Sequence, residues 1–528
     1  MIYIKIYVPK PGISLAKAAY ETTKPAEFFG LFQQTAAALT KSTVTVADLT
    51  AWALDAGYGA PNGVDQNAFL AIPASHMARL ADYQRARLAL LMHLLHIDQK
   101  TKKLYRHAVA GYLESSDKSD AAFILGGIAC RYATEEWLKS RGRHLTRFWH
   151  YSIYSNPAVS GISFTNSTLK VSVKKKAATK PGASAPKTSK FDGDRRPDYL
   201  VQCNTTRWYA VEAKGTFGNF DHADVKNGMD QARRLRSITF ADPVLGPPGA
   251  APTRYPIADY ACSCAYFDSH DHLNVSFIDP PADPTGTGDD DDDVLELEID
   301  TTIADMLQFH RVTQQFRSLA GVRPRTLPPL LASSDNLMRW SEISFSAARR
   351  AKDNRNRIWI GIPRALDREA TRVRPVLQVM AALAPRLRGL FEERPDRQLA
   401  DAFAQRLDVA TADLRAGFTP TTRRVLLRML AALHGGEMPP ATWSEAMERC
   451  RRVPIQIGAS QPATIDSMVG SMQEMRKYAN YVALQLKVVT PDAELHSGVA
   501  LTEHGLVVVS GGLWQPEPIT RPGRKPKI

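Results

Sequence analysis

Apolar residues follow two rhythms along this chain, every second position in some stretches and every third or fourth in others. Met1-Ile-Tyr-Ile-Lys-Ile-Tyr-Val8 alternates and runs into Pro9 and Pro11, which predicts a strand rather than a signal peptide. Residues 16–40 and 75–112 carry helical spacing, with Gly57-Tyr-Gly-Ala-Pro-Asn-Gly63 as a loop between them. A further helix is predicted over Asp120 to Ser140, with Leu125, Ile128, Ala129 and Tyr132 on one face. Strand patterns follow at 198–203, 207–216, 258–266 and 273–278, and a helical pattern at 223–238 separates the second from the third. Beyond residue 296 the pattern is mainly helical, at 301–319, 366–392, 397–416, 421–434 and 463–481. Short strands are predicted at Arg357 to Ile362 and on either side of Thr502-Glu-His-Gly505. No window holds roughly 18 uninterrupted apolar residues, so no membrane span is expected.

Length bounds the organisation. At about 150 residues per domain, 528 residues predict two to four domains. We divide the chain into an N-terminal strand plus helical region (1–115), an α/β domain (116–280), an acidic linker (281–295) and a mainly helical C-terminal region (296–528). The linker contains Asp289 to Asp293, a run of like charge that stays solvated. Five cysteines exclude a disulfide scaffold and fit a reducing compartment such as the cytoplasm.

Charge narrows the partner. The formal net charge is +13, which favours a polyanion, and nucleic acid is the first expectation. From Trp137 to Phe191 there is no Asp or Glu, while the stretch holds Lys174-Lys175-Lys176 and eight further basic residues. Residues 170–191 read as a basic loop able to meet phosphates.

The chemistry concentrates in two short segments, Arg195-Arg-Pro-Asp-Tyr-Leu200 and Trp208-Tyr-Ala-Val-Glu-Ala-Lys-Gly215. On a strand, Glu212 and Lys214 project to the same side, and an acid and an amine on one face of an apolar strand need each other or a ligand. A hairpin turning at Asn204-Thr-Thr206 would bring Asp198 toward Glu212. Two converging carboxylates make an oxygen-rich site for a hard divalent cation, Mg²⁺ best and Mn²⁺ as a substitute. A lysine beside it can hold a water for phosphodiester hydrolysis.

Pro197-Asp198 followed by Glu212-Ala213-Lys214 resembles the motif of the PD-(D/E)xK nuclease superfamily, the restriction-endonuclease-like fold. The resemblance implies an αβββαβ core with a central mixed sheet. It implies that Asp198 and Glu212 are metal ligands, joined by the carbonyl of Ala213, and that Lys214 positions the attacking water. The first helix of the superfamily often adds an acid, for which Glu136 is the candidate and Glu135 the alternative. Gln231 matches a glutamine that faces the active site in some branches, although Leu235 stands where those branches have a tyrosine. Arg233 and Arg234 on the same helix suit phosphate contact. By the same resemblance, the expected activity is Mg²⁺-dependent cleavage of DNA, with RNA left open and restriction or anti-phage defence as the role. Duplex cutting calls for a homodimer, and the large flanks leave room for an activating protein partner. The alternative is a non-cleaving nucleic-acid-binding protein on the same fold.

Cys262-Ser-Cys264 and His270-Asp-His272 contain zinc-type ligand residues, but their spacing matches no common zinc module. Period-two alternation makes the cysteines core residues of a strand. No Gly-x-x-x-x-Gly-Lys-Ser/Thr sequence is present, which argues against ATP-driven motor action.

Overall fold

The computed structural model describes residues 2–13, 23–35, 39–41, 44–57, 103–150, 169–174, 197–205, 207–233, 235–240, 253–279, 294–299, 343–349, 358–392, 400–435, 439–458, 460–489, 498–503 and 505–510, with short pieces between 79 and 97 and at 306 and 316. Lys175, Lys176, Arg234 and the acidic run 289–293 lie outside the described residues, as do residues 175–191 of the predicted basic loop.

The elements run in order as β1 (Ile2–Pro9), α1 (Pro25–Phe29), β2 (Phe32–Gln34), β3 (Leu39–Lys41), α2 (Val46–Asp55), β4 (Leu95–Ile97), β5 (Leu104–Arg106), a 3₁₀ turn (Ala108–Tyr112), α3 (Ser115–Ser140), β6 (Leu145–His150) and β7 (Leu169–Lys174). They continue as β8 (Tyr199–Cys203), β9 (Trp208–Gly215), α4 (His222–Arg233), β10 (Leu235–Phe240), β11 (Thr253–Phe267), β12 (Leu273–Ile278) and β13 (Val294–Ile299). The C-terminal part holds β14 (Ile343–Arg349), β15 (Ile358–Pro363), α5 (Arg364–Glu392), α6 (Ala400–Gly417), α7 (Pro420–His434), α8 (Trp443–Arg452), α9 (Ile465–Val489), β16 (Gly498–Leu501) and β17 (Val507–Ser510). The fold is mixed α/β, with a central mixed sheet and several helices. No helix among the described residues is long and apolar enough to cross a membrane.

The centre of the sheet is antiparallel on one side and parallel on the other. β8 pairs antiparallel with β6 and β9, β9 runs parallel to β11, and β11 pairs antiparallel with β12. All five residues of β8 and all six of β12 are buried, as expected of strands covered on both faces. Helix α3 packs on the face that carries Tyr209, Val211, Ala261 and Ala265. Helix α4 covers the opposite face, where Cys262 and Cys264 lie in a cluster with Val225 and Met229. The five described cysteines are all buried free thiols, as core residues should be.

Glycine sets the α3–sheet distance. A Cβ on Gly215 would lie 2.1 Å from the carbonyl oxygen of Ala122, and one on Gly126 would lie 2.9 Å from the amide of Gly215. Both obstacles are backbone, so the helix can seat this closely only against glycine.

Three sequence expectations change. The N-terminal region is not mainly helical among its described residues. β1 pairs parallel with β12 and antiparallel with β2 and β3, so these three strands extend the central sheet. The apolar spacing there reflects an aromatic cluster, with Phe28 and Phe32 5.5 Å apart and packed with α4. The helix expected through Ile238 stops at Arg233, and Leu235 begins β10. The edges of both predicted loops are strands, since Leu169–Lys174 pairs antiparallel with Val294–Ile299. In the C-terminal region the helices are joined by the sheet β14-β15-β17-β16.

At the C-terminal end of α3, two aspartates are buried together. Trp137 Nε1 donates to Asp279 Oδ2 at 2.9 Å, Arg141 also donates to Asp279, and Arg141 Nη1 lies 3.6 Å from Asp259 Oδ2. Burial and the nearby charge of Asp279 push the Asp259 carboxyl up to about 8, against the pull of Arg141. The folded chain therefore holds a proton there that the unfolded chain releases near pH 4. Its stabilising contribution is complete below that pH and is lost as pH rises through about 8. Thermal melts of the wild type should shift downward across this window, and Asp259→Asn should flatten the dependence. An unchanged slope in the variant would contradict the assignment.

Candidate active site

The β8–β9 hairpin assembles the acids. Its register sets Tyr199 opposite Val211 and Leu200 opposite Ala210, so the next step outward sets Asp198 opposite Glu212. Two reciprocal bonds lock that step. The Asp198 amide donates to Glu212 Oε2 at 3.0 Å, and the Ala213 amide donates to Asp198 Oδ2 at 3.0 Å. Pro197 and the turn at Asn204 bound the strand, and the Cys203 amide closes the turn on the Arg207 carbonyl at 3.1 Å.

Lys214 joins the cluster from the same strand face. Its Nζ donates to Glu212 Oε1 at 2.7 Å and to Gln231 Oε1 at 2.7 Å. Gln231 reaches it from α4, which sits close because of Gly228. A Cβ there would meet Cys262 Sγ at 2.6 Å and Lys214 Cε at 3.3 Å.

The electrostatics of the cluster are those of crowded, desolvated acids. Glu212 is only 2% exposed, and burial followed by the charge of Asp198 drives its carboxyl well above the usual range, with Lys214 opposing. Burial also raises Asp198, again against Lys214. Burial disfavours the Lys214 ammonium, but the Glu212 carboxylate outweighs it and the net shift is upward. One buried carboxyl, Glu212, and one half-buried carboxyl, Asp198, are therefore matched by one ammonium. The cluster carries a net charge of −1 when both acids ionise, which attracts a cation.

The cluster opens into a cavity of about 820 Å³ lined by Asp198, Glu212, Ala213, Lys214 and Gln231. Its other walls come from the first two turns of α3 (Ser115, Lys118, Ser119, Ala122, Phe123), the Thr216-Phe217-Gly218 loop and Asp224. The loop is pinned to β11, as Thr216 donates to the Ala265 carbonyl at 2.9 Å and Phe267 to that of Gly218 at 3.0 Å.

Several predicted residues are not brought together here. Glu136 lies fourteen residues along α3 from the cavity-lining Ala122, about 21 Å at the helical rise. Its carboxylate pairs with Lys139 at 2.9 Å, and Glu135 pairs with Arg131 at 2.7 Å. Glu136 is half-buried and lies too far along the helix axis to reach the acids. Arg233 is 9% exposed, and its Nε donates to Asp230 at 3.0 Å, which does not make it a solvated phosphate contact. Lys226 donates to the Thr23 carbonyl at 2.7 Å. Of the lysine run, only the backbone of Lys174 is described, as the last residue of β7.

The cavity residues on α3 were not singled out from sequence, nor was Asp224. A signal was present for Asp224 and Phe123. Asp224 and Gln231 are seven apart on one helix face. Phe123 is a large apolar residue off the buried stripe of Leu125, Ile128 and Ala129, and it is 46% exposed.

No family model, curated protein or solved structure matches this chain.

Proposed function

We propose that this chain is a metal-dependent nuclease that hydrolyses phosphodiester bonds of DNA on a restriction-endonuclease-like core. One observation carries the reading. Asp198, half-buried, and Glu212, buried, form a linked carboxyl pair with Lys214 and Gln231 at the floor of an open cavity. With β7 and β10 set aside as insertions, the elements α3, β6, β8, β9, α4 and β11, with β8 antiparallel to β6 and β9 and β11 parallel to β9, follow the αβββαβ order on a mixed sheet that the motif implies, which supports the reading.

The roles follow from the atoms. Asp198 and Glu212, with the carbonyl of Ala213, supply the oxygen donors for Mg²⁺, or Mn²⁺ in its place. When bound, such a cation supplies charge stabilisation to the phosphate undergoing attack. Lys214 presents a charged donor beside the acids, where it holds and orients a water. Gln231 fixes the lysine from the opposite side. Lys118, with Ser115 and Ser119 on the same helix face, faces the cavity as a phosphate contact.

Phe123 gives the substrate an apolar surface. Stacking of a base on such a ring contributes roughly 1–3 kcal/mol. Phe123→Ala should therefore weaken binding of a single-stranded oligonucleotide about tenfold, read by fluorescence anisotropy in EDTA. Equal affinity in the variant would remove Phe123 from the substrate path.

The reading is tested on duplex and single-stranded DNA with Mg²⁺, comparing the wild type with Lys214→Ala. Cleavage by the wild type that is strongly reduced in the variant supports it. Salt-sensitive binding with no metal-dependent cleavage would replace it with a non-cleaving nucleic-acid-binding protein.

A further inference from the structure

The turn between β11 and β12 gathers a second set of ligand atoms that the nuclease reading does not use. Asp268, His270 and His272 each present one potential metal-binding atom, and the three lie within 4.8 Å of one another. Asp271, between the histidines, has φ 61°, a left-handed conformation that folds the chain back sharply. The two imidazole rings consequently lie on the same side, 5.8 Å apart and inclined by 24°.

The carboxylate is held in place before any ligand arrives. Asp268 Oδ1 accepts the amides of His270 at 2.9 Å and His272 at 3.0 Å. Asp268 Oδ2 accepts Asn274 Nδ2 at 3.1 Å and stands 3.3 Å from His272 Nδ1. That separation matches the edge of a tetrahedron with bonds near 2.0–2.1 Å, which is about 3.3–3.4 Å. In the absence of a cation, His272 Nδ1 and Asp268 Oδ2 are themselves hydrogen-bonded, and a bound cation would take the place of the proton between them. His270 is exposed, and its ligand atom lies within 4.8 Å of the other two. Fixed outer hydrogen bonds of this kind orient the ligands of metal sites.

The donor chemistry differs from that of the nuclease cluster. Two imidazoles and one carboxylate favour a borderline transition metal over Mg²⁺. We infer that Asp268, His270 and His272 bind a zinc-class divalent cation, with a fourth position open to solvent. Cys262 and Cys264 take no part, since both are buried beneath α4. The bound cation would staple the β11–β12 turn, whose Asp271 is tied by Arg106 to the Phe217 carbonyl at the cavity wall.

The test is titration of the full-length protein with Zn²⁺ in competition with a chromophoric chelator. The wild type should bind one equivalent that Asp198→Asn retains. The double variant His270→Ala/His272→Ala should lose affinity for it at least about tenfold while keeping the wild-type circular dichroism. Co²⁺ should give the visible absorption of a tetrahedral site in the wild type and not in the double variant. The inference is overturned if the wild type binds no saturable equivalent, if the double variant retains it, or if Asp198→Asn alone removes it. None of these outcomes depends on DNA cleavage, so failure here is distinct from failure of the nuclease reading.

Discussion

Asp198→Asn is expected to slow Mg²⁺-dependent DNA cleavage by about a hundred- to a thousandfold and to leave the protein folded. The rate loss follows from removing a charged oxygen donor at the point where charge develops on the phosphate. The retained fold follows from the geometry. The Ala213 amide can still donate to the side-chain carbonyl oxygen that takes the place of Asp198 Oδ2, and the Asp198 backbone bond to Glu212 Oε2 is untouched. Burial already makes ionisation of both acids costly, so the variant should melt at or above the wild-type temperature. Single-turnover cleavage and a thermal melt on the same preparation check both parts. A variant that loses activity only because it unfolds would count against a catalytic role for Asp198.

The largest effect on stability should come from Arg131→Met. Arg131 is 6% exposed; its Nε donates to Asp55 Oδ2 at 3.1 Å and its Nη1 to Glu135 Oε2 at 2.7 Å. Asp55 Oδ1 also accepts the amide of Glu503 at 2.8 Å, from the turn between β16 and β17. One guanidinium therefore joins α2, α3 and the C-terminal sheet. Burial lifts the Asp55 carboxyl to about 6 even with Arg131 beside it, while Arg131 and Lys139 overcome burial at Glu135 and hold it near 2. Removing the arginine leaves the buried Asp55 carboxylate without its counter-charge, while Glu135 keeps Lys139; an unpaired buried charge costs about 3–5 kcal/mol in comparable sites. The loss should grow with pH. Without Arg131 the folded Asp55 holds its proton to a still higher pH than the unfolded chain, so stability falls as pH rises from about 4 through that value. Denaturant titrations at two pH values measure this, and a loss under about 1 kcal/mol would contradict a structural role for the triad.

The hairpin that carries the acids was legible because three local signals agreed. Pro197 opens the strand, Asn204 turns it, and alternation in Trp208–Gly215 sends Glu212 and Lys214 to one side. The long helices were legible for a similar reason, as strands and loops rarely sustain helical spacing over many turns. Glu136 shows where this reasoning stops. Periodicity gives the face of a helix but not which end meets the site, and α3 spans 26 residues, about 39 Å. At the junction of α4 and β10, Leu235 and Ile238 satisfy helical spacing while lying in a strand, so the pattern alone could not place the boundary. Arg233 looked solvated because its helix is basic, and only the tertiary structure reveals its burial. Helix α8 was not foreseen, since ten residues rich in charge give a weak pattern.

Anomalous diffraction from crystals of the full-length protein soaked in Mn²⁺ tests the central claim most directly. The account predicts a single strong peak between the carboxyl groups of Asp198 and Glu212, at a coordination distance on the order of 2.1 Å from an oxygen of each. Crystals that show Mn²⁺ bound elsewhere, with no peak between these two side chains, would contradict it.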